Sequence, residues 1–167
     1  RKLFDYIAAS PSPYHAVHHS AEKLRAAGFL PLSEGEDWDL TPGQGYYVTR
    51  NGSSLIAFRT RKDFSGFLMT ASHCDSPTFK IKENAELTGS GCRRLAVEKY
   101  GGMLMSTWMD RPLGIAGRVL LRKGSGIESR LLDLGGACAV IPNVAIHMNR
   151  KANDGYPWNP AVDLLPL

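Results

Sequence analysis

The sequence has few cysteines: three in 167 residues, with no CxxC pair. That excludes a disulfide framework and a zinc knuckle. Cys74, Cys92 and Cys138 read instead as reduced thiols of a reducing, cytoplasmic setting. Long apolar runs are missing too. None approaches the roughly 18 residues of a membrane helix, so no membrane partner is expected. Arg1-Lys2-Leu3-Phe4-Asp5 brings an acid too early for a signal-peptide core, and no small-residue cleavage site follows. Concentrated charge is absent as well. The net charge is +4, and its basic residues are scattered (Arg59/Arg61/Lys62, Arg93/Arg94, Arg122/Lys123) without interleaved aromatics. Nucleic acid is therefore not an expected partner. GxGxxG, Walker A, GxSxG and HExxH are all missing, which removes the usual signatures of dinucleotide, P-loop, serine-hydrolase and zincin chemistry. An initiator Met is also lacking. The last residues, Leu164-Leu165-Pro166-Leu167, are apolar, so the expectation is a part of a longer protein.

What is present is ordinary for a folded chain: 43% hydrophobic and 22% charged residues. Leu3, Phe4, Ile7 and Ala8 recur at helical spacing up to Ser10-Pro11. Ser12 as N-cap and Pro13 at the first helical position open a second helix. Its apolar stripe is Tyr14, Val17, Ala21 and Leu24, and Gly28 stops it. The period then shortens. Residues 46–50 and 53–59 read as strands joined by Asn51-Gly52, a strong hairpin signal. Gly66 to Ser72 (GFLMTAS) is a continuous apolar run that suits a strand buried on both faces. Phe79 to Lys82 predicts another short strand. Beyond Thr88 glycines punctuate short apolar segments. A hairpin is expected across Lys123-Gly124-Ser125-Gly126, and a strand over 137–141 stopped by Pro142. The fold class is α/β with a β-rich second half, and a soft boundary lies near residues 83–90.

The sharpest chemical feature follows the apolar run: His73-Cys74-Asp75-Ser76-Pro77. Ligands of open α/β sheets sit beyond the carboxyl ends of strands. On extended backbone the side chains of His73 and Asp75 share one face. A neutral imidazole ligates zinc, and its second nitrogen usually donates to a carboxylate. Asp75 fits that supporting role or a direct ligand. His15, His18, His19 and Glu22 also offer i,i+4 pairs on the second helix, but they read better as its polar face. Cys74 beside His73 does not make a nucleophile–base pair, because adjacent extended residues face opposite ways. His147, after an apolar stretch, reads on its own as a packing or surface residue.

Five stretches, in order, resemble the M18 aminopeptidases. They are Ser10-Pro-Ser-Pro-Tyr-His-Ala-Val17, Tyr47-Val-Thr-Arg-Asn51, Ala71-Ser-His-Cys-Asp-Ser-Pro77, Glu98-Lys-Tyr-Gly-Gly102 with Trp108-Met-Asp-Arg-Pro-Leu113 and Ala116-Gly-Arg-Val119, and Ile141-Pro-Asn-Val-Ala-Ile-His147. The resemblance implies a metallo-exopeptidase with two zinc ions that removes N-terminal residues, in several members Asp or Glu, from peptide substrates. It implies an α/β catalytic domain carrying an inserted β-rich dimerisation domain, in a tetrahedral homo-oligomer. Residues 1–86 are then the opening of the catalytic domain and 87–167 the inserted domain, incomplete. His73 matches the first zinc ligand and Asp75 the carboxylate that supports it. His147 matches a histidine that enters a neighbouring subunit's active site and helps bind substrate or transition state. His15 lies in a matching motif and receives no chemical role.

The sequence departs from the family pattern at Cys74 (usually Thr), Met109 (usually aromatic) and Pro112 (usually acidic). A thiol beside the ligand predicts sensitivity to alkylation. The resemblance also places a bridging Asp, a general-base Glu with its neighbouring ligand Glu, a further Asp and a last His beyond these residues. One imidazole does not hold a catalytic zinc, which takes about three protein ligands and a water. The 167 residues alone are therefore expected to bind zinc weakly and to be inactive. The alternative expectation is an oligomerisation or binding module without activity of its own.

Overall fold

The computed structural model describes residues 1–89 and 91–166. Ser90, inside the soft boundary, and Leu167, the end of the apolar tail, lie outside the described residues. The chain divides into two compact units, Arg1–Asp75 with Ala116–Leu132, and Ser76–Ile115 with Asp133–Leu167.

The first unit opens with α1 (Lys2–Ala8) and α2 (Pro13–Ala26). Pro13 sits in the first turn of α2, where its missing N–H costs nothing. The Ser12 hydroxyl accepts from the His15 N–H and lies 2.7 Å from His15 Nδ1. Gly28, at φ +82°, ends the helix in the left-handed conformation that favours glycine. Ser12→Ala removes the cap and is expected to cost about 1 kcal/mol. Thermal unfolding checks this, and an unchanged midpoint would contradict it.

β1 (Leu30–Leu32), β2 (Gly45–Arg50) and β3 (Ser54–Arg59) form a mixed sheet, with β1 parallel and β3 antiparallel to β2. The β2–β3 turn has Asn51 at φ +53° and Gly52 at φ +65°, as the hairpin signal requires. As the central strand, β2 buries Tyr46, Tyr47 and Val48 in succession. Both tyrosine hydroxyls accept a hydrogen bond, from the Thr41 N–H and from Arg25, so their burial strands no polar group. A Cβ at Gly45 would lie 2.7 Å from the Phe29 ring, so any larger residue there would have to displace that ring. α2 packs on all three strands and on β7 (Ala116–Lys123), and its Ala16 and Val17 are buried. β7 pairs with β8 (Gly126–Asp133) across Gly124-Ser125, the expected hairpin. Arg118 of β7 stacks over the Tyr14 ring and donates to Asn51 O at 2.7 Å, tying the ribbon to the helix and the β2–β3 turn.

An exposed pair in this unit titrates abnormally. Arg50 donates to both Glu34 oxygens, at 2.6 Å for the shortest. That hydrogen bond, helped by the guanidinium charge, holds the Glu34 carboxyl below its ordinary value. The resulting stabilisation is present above the unfolded-state pKa of Glu34 and fades as pH falls through the lower folded value. It is small because water screens the pair. Arg50→Ala is expected to move the Glu34 midpoint upward in an NMR titration; an unmoved midpoint would contradict the assignment.

The second unit is built on β4 (Thr78–Gly89) and β5 (Cys92–Tyr100), an antiparallel pair with an irregularity between Ile81 and Glu86. β4 runs through the composition shift near residues 83–90. It is much longer than the predicted strand at 79–82, because residues 86–89 continue the pairing with β5, where Glu86 and Arg93 approach to 3.8 Å across the strands. β6 (Pro112–Leu113) pairs with β9 (Ala139–Val140), and Met109 bridges Ile141. α3 (Pro160–Asp163) packs on β5. Among the described residues of this unit, Val97, Ile141, Leu164 and Pro166 are the buried apolar ones.

Two expectations are corrected. Gly66 to Ser72 is not a strand: the segment is irregular, with Phe67 76% and Leu68 fully exposed. A strand covered on both faces needs neighbours along its edges, and among the described residues none pairs with 66–72. His15 does not belong to a polar face. It is 8% exposed and turns its ring back to Ser12.

Candidate functional site

His73 and Asp75 stand on irregular backbone at the end of residues 1–75 rather than at the tip of an observed strand. The chain bends so that His73 Nδ1 lies 2.7 Å from the Asp75 carbonyl oxygen and 3.1 Å from Asp75 Oδ1. Both atoms are acceptors, so Nδ1 carries the hydrogen and donates to them. In the neutral ring Nε2 then carries the lone pair, and the side chain is 80% exposed. The residues meet as expected, by a tighter route than alternation along a strand. Cys74, between them, is exposed. Alkylation of this thiol is expected to lower activity of the full-length protein, and full activity after complete Cys74 modification would contradict that.

On α2 His18, His19 and Glu22 form the polar part of the other cluster, while His15 is buried. His18 and His19 each lie 3.4 Å from a Glu22 oxygen.

His147 belongs to the second unit. It sits exposed at the crest of a turn closed by Met148 N–H to Ala145 O (2.8 Å) and Asn149 N–H to Ile146 O (3.2 Å). At the foot of this segment Asp110 accepts the Asn143 N–H at 2.8 Å. The motif containing Asp110 was visible in the sequence, but its contact was not, since 33 residues separate the partners. The far side of the segment lines a cavity of about 450 Å³ with Arg94, Met109, Tyr156 and Trp158. The nearby Asp163 carboxylate pushes the Tyr156 hydroxyl up from its ordinary pKa, mainly by its charge. None of His73, Asp75 and His147 lines that cavity.

Residues 6–167 match the family model described as aminopeptidase I zinc metalloprotease (M18). The chain belongs to the M18 family. It is 47% identical, over 99% of its own length, to a probable M18 family aminopeptidase 2 of Pseudomonas paraeruginosa, and it spans 39% of that relative. Among solved M18-like structures, Ape4 in a cryo-EM complex with Nbr1 is similar at TM-score 0.94 and 39% identity, over 99% of this chain and 33% of that one. The mApe1 dodecamer of S. cerevisiae is similar at TM-score 0.76 and 35% identity, over 87% and 36%. The chain thus spans about two fifths of the M18 relatives it matches, and its mixed α/β fold is theirs.

A zinc metalloprotease family implies zinc, and the donor chemistry here fits one ligand's share of such a site. His73 offers Nε2 while Asp75 fixes the tautomer. Among the described residues no group of three or more His, Cys, Asp and Glu side chains could hold a metal. The donors present amount to one imidazole with a neighbouring carboxylate, not to a complete donor set.

Proposed function

We propose that this chain is part of a zinc-dependent aminopeptidase that removes N-terminal residues, by preference Asp or Glu, from peptides. The observation that carries the reading is the His73 ring, pinned at Nδ1 by Asp75 with Nε2 left to ligate. In the complete protein His73 would hold one of two zinc ions, which when bound would supply Lewis-acid chemistry toward the scissile carbonyl. Asp75 keeps the imidazole oriented and basic. His147 projects from its turn to bind substrate in the active site of a neighbouring subunit. Residues 1–86 open the catalytic domain, and 87–167 belong to an inserted β-rich dimerisation domain, a division that rests on the family resemblance and the composition shift. The similarity to a dodecameric protein supports a homo-oligomer, for which we propose the tetrahedral arrangement. Three exposed thiols without a disulfide support a reducing cytoplasm. The exposed Phe67, Leu68 and Met69 form an apolar patch for further parts of the protein to cover.

The test is cleavage of a peptide set differing only in the N-terminal residue by the full-length protein, before and after chelation. Release of Asp or Glu faster than Leu, lost with chelation and restored by zinc, is expected. Activity indifferent to chelation would contradict zinc dependence. Equal rates for all N-termini would contradict the acidic preference alone.

The incomplete donor set favours a second reading for the 167 residues taken by themselves: an oligomerisation module without turnover. The isolated polypeptide is expected to show no peptidase activity and less than one zinc per chain by metal analysis. Turnover with stoichiometric zinc would contradict this.

A further inference from the structure

Asp110 adopts φ +53°, a left-handed conformation that costs a non-glycine residue free energy and persists where the surroundings demand it. The conformation lets one residue grip two backbone groups flanking Pro142. The Asp110 N–H donates to Ile141 O at 2.9 Å, and Asp110 Oδ1 accepts the Asn143 N–H at 2.8 Å. Ile141 is fully buried and bridged to Met109, so this end of the segment is anchored in the core. Beyond it the segment's backbone hydrogen bonds are local. Asn143 Oδ1 accepts the Val144 N–H at 2.9 Å, and the Ala145–Met148 and Ile146–Asn149 bonds close the turn under His147. Among the described residues, the Asp110 carboxylate makes the hydrogen bond that ties 143–148 to the rest of this unit.

We infer that Asp110 is a positioning residue for His147. It fixes the foot of the exposed turn, so the imidazole is presented in one place instead of being ordered when substrate arrives. The inference rests on the reading of His147 as a substrate-binding group. The backbone and side-chain parts of the clamp are separable. Glycine at 110 accepts the positive φ and deletes the acceptor, whereas asparagine tolerates the φ and keeps a neutral acceptor.

The experiment compares steady-state kinetics of the full-length protein with Asp110→Gly, Asp110→Asn, His147→Ala and the Asp110→Gly/His147→Ala double variant. Asp110→Gly is expected to lower kcat/KM about tenfold, the scale of a charge-assisted hydrogen bond. The loss divides between kcat and KM as it does in His147→Ala. The double variant is no worse than His147→Ala alone, and Asp110→Asn recovers most of the loss. A merely structural residue would lower kcat at constant KM and would multiply the His147→Ala defect. Either that pattern, or an unimpaired Asp110→Gly beside an impaired His147→Ala, overturns the inference. Unchanged kinetics in His147→Ala overturn the role of His147 first, and this inference with it. If Asp110→Gly does not assemble, amide hydrogen exchange of the parent protein decides. An Asn143 amide that exchanges severalfold below its intrinsic rate supports the clamp; exchange at the intrinsic rate overturns it.

Discussion

His73→Ala in the full-length protein is expected to lower peptidase activity by more than about 100-fold, beyond the effect of losing a supporting residue. The reason lies in the valence of the ring. Nδ1 donates to Asp75, so Nε2 is the one atom of this side chain left to meet a cation. Alanine supplies no donor atom, and the 80% exposed position of the imidazole leaves room for water instead. The fold is expected to survive, because an exposed ring on irregular backbone contributes little packing. Steady-state kinetics together with an unchanged circular dichroism spectrum check this. Retention of activity within a few fold would contradict the ligand assignment.

Asp75→Asn is expected to lower zinc affinity or activity by about 10–100-fold while leaving His73 in place. The amide oxygen of asparagine still accepts from Nδ1–H, but it lacks the charge that raises imidazole basicity. The Asp75 carbonyl contact at 2.7 Å is backbone and remains, which keeps the loss below that of His73→Ala. Competition with a chromophoric chelator measures the affinity. Equal zinc affinity and equal activity in Asp75→Asn and the parent protein would contradict a supporting role.

The features legible in the sequence are those fixed by neighbours along the chain. Ser12-Pro13 sets the start of α2 and Gly28 its end, each through backbone geometry a few residues deep. Asn51-Gly52 sets the β2–β3 turn because both residues adopt positive φ. The His73–Asp75 pair was legible because two intervening peptide bonds bring the side chains together on either extended or bent backbone. Features that depend on distant partners were not. An apolar run such as 66–72 reads as a buried strand only if other strands flank it, and no described strand does. The length of β4 comes from pairing with β5 across a charged stretch without period-two patterning. His15 looked polar by type, yet its neighbours in space bury it. Asp110 and Asn143 meet across 33 residues, a separation on which local spacing is silent.

The most direct test of the zinc reading counts metal. Zinc per protomer is measured in the full-length protein and in its His73→Ala and Asp75→Asn variants after dialysis against a weak chelator. The account predicts a loss of zinc in His73→Ala and a smaller loss in Asp75→Asn, in that order. Parent-level zinc in His73→Ala, in a protein that remains folded and assembled, would contradict it.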